Sequence, residues 1–174
     1  MLDLPDAPHI VFVMGLPAAG KSTWISHYLP GFHWIDPDRI KALHPRYDPH
    51  KPHLVHSWSK AIAMRMFDNA LHRPQGNWVI EGTGANGDEM VYNIKTAHAA
   101  GYATSLVYVK CTLIKAIIRN TYRPRTIPTD IILDKSTKID KSFTLAALYA
   151  HNVMEVDNNA DHRDPLHLIL KFKT

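Results

Sequence analysis

The segment Gly15-Leu-Pro-Ala-Ala-Gly20-Lys21-Ser22 fits the pattern G-x-x-x-x-G-K-[ST], and it restricts the fold more than any other stretch of the chain. A loop of this kind works only between a strand and a helix. The strand brings it to a sheet edge, its backbone N–H groups turn inward as an anion nest, and the helix aims the positive end of its dipole at the same point. Both flanks are present. His9-Ile-Val-Phe-Val-Met14 is a short apolar run with β-branched residues, and residues 22–29 contain neither Pro nor Gly. The pattern predicts a nucleoside triphosphate site with Gly15, Ala18, Ala19, Gly20, Lys21, Ser22 and Thr23 around the phosphates. Lys21 would bridge the β- and γ-phosphates, and the Ser22 hydroxyl would be a ligand of Mg²⁺. ATP and Mg²⁺ are the expected cofactors.

The rest of the chain keeps alternating. Strands are expected at Phe32–Asp36, Asn77–Glu81, Ala103–Val109 and Val153–Asp157, with a further one over Leu166–Phe172. Helices are expected at Arg39–Leu43, Leu54–Arg73, Asp88–Ala100 and Thr112–Tyr122, with more up to Ala150. His44–His53, broken by Pro45, Pro49 and Pro52, reads as a loop and as a wall of the acceptor site. Short apolar strands alternating with helices predict an α/β, three-layer P-loop NTPase fold of the nucleoside-kinase type. Its central parallel sheet would have about five strands, buried on both faces, with a helical lid. At 174 residues the chain is expected to be one domain, 1–174, with the lid at 119–128.

Composition excludes several classes. The chain is 45% hydrophobic and 21% charged, with no apolar run near the roughly 18 residues of a membrane span, so a membrane protein, a disordered chain and a fibrous repeat are ruled out. Its one cysteine, Cys111, is expected to be a buried thiol, and Met1–Pro8 lacks the basic-then-apolar order of a signal peptide. A cytoplasmic setting is expected. The formal net charge is +4, and the stretch from Met90 to Thr129 contains no acid but carries Lys95, Lys110, Lys115, Arg119, Arg123 and Arg125. Such a stretch suits an anionic ligand or a solvated helix face.

Three further groups could carry chemistry. Asp36-Pro-Asp38 ends the second expected strand, at the edge where open α/β sheets bind ligands. Phosphoryl transfer needs a carboxylate that orients the attacking hydroxyl and takes its proton. Either aspartate suits that role, and Asp38 equally suits the N-cap of the helix starting at Arg39. Arg119, Arg123 and Arg125 lie just before Pro128, at a break between helices. Guanidinium groups there could neutralise the transferring phosphoryl group from a closing lid, or simply finish a helix whose dipole favours cations. Glu81-Gly-Thr83-Gly-Ala-Asn86 follows the third strand on the same edge and suits either close approach to a ligand or a plain turn. Trp24, Trp58, Met64, Met66 and Phe67 fall in helical patterns and are expected in the core.

These residues resemble two related families. Gly15 to Trp24, Pro30-Gly-Phe32, Asp36-Pro-Asp38, Arg119-Asn-Thr-Tyr-Arg123 and Ile127-Pro128 resemble the kinase domain of phage polynucleotide 5′-kinases. Asp36-x-Asp38, His44-Pro45, Ile80-Glu-Gly-Thr83, Gly101-Tyr102 and Asp157-Asn158 resemble the zeta-toxin family. The resemblance implies Asp38 as general base, Lys21 and Ser22 as triphosphate and magnesium residues, and Arg123 with Arg119 on the γ-phosphate. The zeta-toxin comparison implies Glu81 and Thr83 beside the acceptor, there a hydroxyl of UDP-N-acetylglucosamine; Asp36, Lys41 and Asn86 are further candidates on the acceptor side. Lys41 and Pro37 stand where the polynucleotide kinases have arginines, so a clamp for a terminal 3′-phosphate is not expected.

The expected function is therefore ATP-dependent phosphoryl transfer to an alcohol group. The first expectation for the acceptor is DNA, at a 5′-hydroxyl or a hydroxymethylated pyrimidine base. The alternatives are a zeta-toxin-like kinase of a nucleotide sugar, held by an antitoxin partner, and a nucleotide-binding regulatory module without transfer activity.

Overall fold

A computed structural model describes residues 8–72 and 74–160, and the backbone of 170–172. The strands are β1 (His9–Met14), β2 (His33–Ile35), β3 (Trp78–Glu81), β4 (Ala103–Lys110), β5 (Asn152–Asp157) and β6 (Leu170–Phe172). The α-helices are α1 (Lys21–Tyr28), α2 (Pro37–Lys41), α3 (His56–His72), α4 (Gly87–Ala99), α5 (Leu113–Thr121), α6 (Thr129–Ser136) and α7 (Ile139–Ala146), and a 3₁₀ turn at Pro52–Val55 leads into α3. The strands form one sheet in the order β2-β3-β1-β4-β5-β6. The first five are parallel, and β6 pairs antiparallel to β5. This is the expected five-stranded parallel sheet with one antiparallel strand added. Of the last expected strand, Leu166–Phe172, the described residues form β6, and residues 166–169 lie outside the described residues.

Every residue of β1 is buried, as are the six central residues of β4. Continuous burial of this kind needs cover on both faces of the sheet, which is why these strands are apolar runs rather than alternating ones. Phe67 from α3 meets Phe12 of β1 edge to face, with ring centroids 6.3 Å apart. Trp24 is also buried, but Trp58 and Met64 are exposed, a departure from the expected core. Both lie on α3, whose buried residues are Ser59, Ala63, Phe67 and Ala70. That spacing of four and three defines one face, and positions 58 and 64 fall off it.

Chain order reverses at β1, which has β3 on one side and β4 on the other, and an open sheet presents its ligand crevice at such a point. The carboxyl ends of the five parallel strands there carry the 15–20 loop, Asp36, Glu81, Cys111 and Asn158. The amino ends carry a histidine cluster. His9, fully buried, pairs through Nε2 with Ser105 Oγ at 2.8 Å, and its Nδ1 has no partner among the described residues. His98 Nε2 pairs with Thr104 Oγ1 at 2.6 Å, His151 Nδ1 accepts from Thr104 N–H at 3.1 Å, and the rings of His98 and His151 are 4.0 Å apart.

Candidate functional site

The 15–20 loop joins β1 to α1 in the shape its pattern requires. Gly15 N–H donates to the Thr83 carbonyl at 3.3 Å, Ala19 N–H to the Leu16 carbonyl at 3.1 Å, and Ala18 adopts a left-handed conformation at φ 62°. Two glycines have steric reasons to be there. A Cβ on Gly15 would stand 2.5 Å from the Val109 carbonyl oxygen, and one on Gly20 would stand 2.2 Å from Asn158 Nδ2. Asn158, at the end of β5, donates to the Ala19 carbonyl at 2.7 Å and so ties the loop to the far side of the sheet.

Lys21 is buried, with Nζ donating to the carbonyls of Gly15 and Leu16 at 3.1 and 3.0 Å and lying 4.0 Å from Glu81 Oε1. Burial pushes its ammonium below the ordinary value, against the pull of Glu81 and Asp36. Ser22 Oγ donates to the Glu81 carboxylate at 2.9 and 3.1 Å, and burial pushes the Glu81 carboxyl up in spite of Lys21. A hydroxyl and a carboxylate are hard oxygen donors of the kind Mg²⁺ takes, and Mg²⁺ draws its other ligands from phosphates and water. Ser22 and Glu81 therefore fit that ion.

The two aspartates divide their work. Asp36 caps α2: its Oδ1 accepts from Asp38 N–H at 2.7 Å, and Pro37 occupies the first helical position, where a missing N–H costs nothing. The cap is thus Asp36 and not Asp38, because the helix starts two residues earlier than the pattern indicated. Burial pushes the Asp36 carboxyl up. Asp38 is left pointing at cations: Oδ1 accepts from Lys41 Nζ at 2.8 Å, and Oδ2 accepts from Arg125. Burial alone would raise its carboxyl, but the hydrogen bonds and charges of Arg125 and Lys41 outweigh it and hold the group well below the usual carboxylate range.

Arg119 and Arg123 border the same space. Arg119 donates from NH2 to the Ala160 carbonyl at 3.2 Å, while its buried NH1 has no partner among the described residues. Arg123 lines the cleft near enough to Lys21 to disfavour its charge. Asn120, buried between them in sequence, bonds Ile127 twice, donating to its carbonyl at 2.8 Å and accepting from its N–H at 3.0 Å, and so closes the 121–127 segment into a compact loop. Sequence reasoning assigned Asn120 nothing; the helix break at Pro124 was the available signal.

Lys21, Ser22, Asp36, Asp38, Glu81, Arg119 and Arg123 face one cleft of about 1480 Å³. Small-molecule sites span roughly 300–1,000 Å³, so this one has room for two substrates side by side. One half is the 15–20 loop with Lys21, Ser22, Thr23, Arg119 and Arg123; the other is walled by Met64 and Phe67 of α3, residues 81–87, and Met90 and Tyr92 of α4. No residue of 44–53 lines it, a correction to the expected wall: His44 packs edge to face on Trp58 of α3, with ring centroids 4.7 Å apart, and α3 itself supplies the wall. Lys41 is committed to Asp38, and Asn86 caps α4 by accepting from Glu89 N–H at 3.2 Å. Thr83 gives its carbonyl to Gly15, and Ser142 of α7 donates to the Gly84 carbonyl, which pins the 82–87 loop. Among the described residues no helix is long and apolar enough to cross a membrane.

A sequence-family model described as Zeta toxin matches residues 3–164. No curated protein matches the chain. Among solved structures, AvrRxo1-ORF1 in complex with AvrRxo1-ORF2 is similar with a TM-score of 0.72 at 16% identity, covering 87% of this chain and 55% of its own, and the same complex has been solved with ATP. The chain thus spans about half the length of that relative. The PezAT chromosomal toxin–antitoxin system of Streptococcus pneumoniae gives 0.65 at 13% identity over 89% of this chain and 70% of its own. A gluconokinase from Sinorhizobium meliloti 1021 gives 0.55 at 14% identity, over 90% and 86%.

Proposed function

The chain belongs to the zeta-toxin family of P-loop kinases, and from that premise we propose that it transfers the γ-phosphate of ATP to a hydroxyl of a nucleic acid or nucleotide-type acceptor. The observation that carries this reading is the placement of Lys21, Ser22 and Asp38 around one cleft large enough for donor and acceptor together. In this reading the 15–20 loop and the amino end of α1 receive the phosphates, and Lys21 and Arg123 offset charge on the transferring group, with Arg119 beside them. Ser22, with Glu81 against it, would hold Mg²⁺, which supplies further charge neutralisation on the phosphate oxygens. The acceptor oxygen bonds to the γ-phosphorus, the bond from that phosphorus to the β-phosphate oxygen breaks, the hydroxyl proton goes to Asp38, and ADP leaves.

Two acceptors remain in play, each with its own support. Arg119, Arg123, Lys135 and Lys138 along the cleft favour a polyanion such as DNA. The family match favours a nucleotide sugar. Incubation with γ-labelled ATP and a panel of 5′-hydroxyl oligonucleotide, hydroxymethyl-pyrimidine DNA and UDP-N-acetylglucosamine separates them. Label on the sugar alone refutes the nucleic-acid reading; no label on any acceptor refutes the kinase reading for this set and favours a regulatory module. Asp38→Asn is expected to lower transfer by about 10²–10⁴-fold. A protein partner that restrains the activity is a further part of the proposal, prompted by the PezAT toxin–antitoxin neighbour; toxicity on expression, relieved by a co-expressed partner, tests it.

A further inference from the structure

We infer that Arg125 is a positioning residue that makes lid closure and the orientation of Asp38 a single event. The inference rests on the reading of Asp38 as proton acceptor for its catalytic half, while its lid half stands on geometry alone. Arg125 and Asp38 are 87 residues apart in the chain, yet they form a direct ion pair between the lid loop and the amino end of α2. The arginine is largely enclosed, with its side chain 12% exposed, whereas the carboxylate keeps 44% of its surface open to the cleft. The pair is therefore asymmetric: the lid group is sequestered, and the acid stays accessible.

Geometry explains what this could do. A carboxylate has about four lone-pair sites. Lys41 takes one on Oδ1 and Arg125 takes one on Oδ2, which leaves a free site on each oxygen for an incoming hydroxyl while both cations fix the plane of the group. Pairing also fixes the lid. The pair of hydrogen bonds between Asn120 and Ile127 makes 121–127 a closed loop, so seating Arg125 on Asp38 seats Arg123, two residues away, over the phosphate half of the cleft. The other charged or titratable groups around Asp38 are Asp36 on its own turn, Lys21, Glu81 and His56, with Tyr47 toward Arg125; among the described residues none of these bonds the Asp38 carboxylate, and Asp36 bonds only its backbone N–H.

A double-mutant cycle on nucleotide binding tests the lid half without any acceptor. The dissociation constant of a non-hydrolysable ATP analogue with Mg²⁺ is measured for the wild type, R125Q, D38N, R125Q/D38N and R125K, with thermal unfolding of each variant to verify folding. R125Q and D38N are each expected to weaken binding about tenfold, the double variant no more than either single one, and R125K to recover most of the loss. Additive losses, or R125Q weakening binding while D38N leaves it unchanged, would overturn the inference, the latter by showing that Arg125 serves the phosphates directly. On the acceptor found by the labelling panel, R125Q is expected to lower kcat by roughly 10- to 100-fold with little change in acceptor KM, and to move the acidic limb of the rate profile to higher pH. An unmoved acidic limb in a folded R125Q also refutes it. Failure of the panel would refute the kinase reading but leave the binding cycle to decide the coupling.

Discussion

Acidification should weaken the fold through one residue far from the cleft. His9 is fully buried at the amino end of the central strand β1, and burial, with the nearby His151 adding to it, pulls its imidazole from the ordinary 6.5 down to about 4. The native state therefore holds His9 neutral, whereas the unfolded chain takes up a proton as pH falls through the ordinary value. Stability is full above that value, declines as pH drops toward 4, and declines no further from this group below it. The full drop corresponds to about 3 kcal/mol, of which about 2 kcal/mol is lost between about pH 7 and about pH 5. That is a large part of a typical stability of about 5–15 kcal/mol. Asp36 and Glu81 act in the opposite sense, since burial raises both carboxyls and favours the fold in acid. A comparison with His9→Gln removes their contribution, because the amide can still bond Ser105 but does not titrate. Urea unfolding of both proteins across this range should give curves whose separation changes by about 2 kcal/mol. Curves that stay parallel within about 0.5 kcal/mol would refute the assignment.

Three other outcomes are expected. Gly20→Ala should cost about 1–3 kcal/mol from its φ of 94° alone, with a further loss of nucleotide affinity because the new methyl group displaces Asn158; calorimetry and nucleotide titration measure the two effects. Ser142→Ala removes the hydrogen bond to the Gly84 carbonyl and should lower stability by about 1 kcal/mol in denaturant unfolding while raising the acceptor KM through the loosened 82–87 loop. Burial pushes the thiol of the half-buried Cys111 up, so alkylation at neutral pH should be slower than for a free cysteine and recover on unfolding; a native reaction as fast as that of the unfolded chain would contradict this.

The phosphate loop was legible because its chemistry is local. Eight consecutive residues encode the turn, the nest and the helix start, and the apolar runs of β1 and β4 announce their own burial. The helix after β2 starts at Pro37, two positions before the Arg39 that the pattern indicates, because Pro37 suits a first helical residue as well as it suits a loop, and only the backbone path decides between them. Met64 and Trp58 looked like core residues because helical periodicity gives spacing without saying which face meets the sheet.

What the sequence alone determined was the α/β class, the phosphate site and the residue types gathered at the carboxyl edge of the sheet. Tertiary structure decided how those residues share their bonds. Asn158 reaches Ala19 across 139 residues, Arg125 reaches Asp38 across 87, and Ser22 reaches Glu81 across 59. Hydrogen bonds and ion pairs act over a few ångströms, and no local pattern records which distant donors the strand order will bring within that reach.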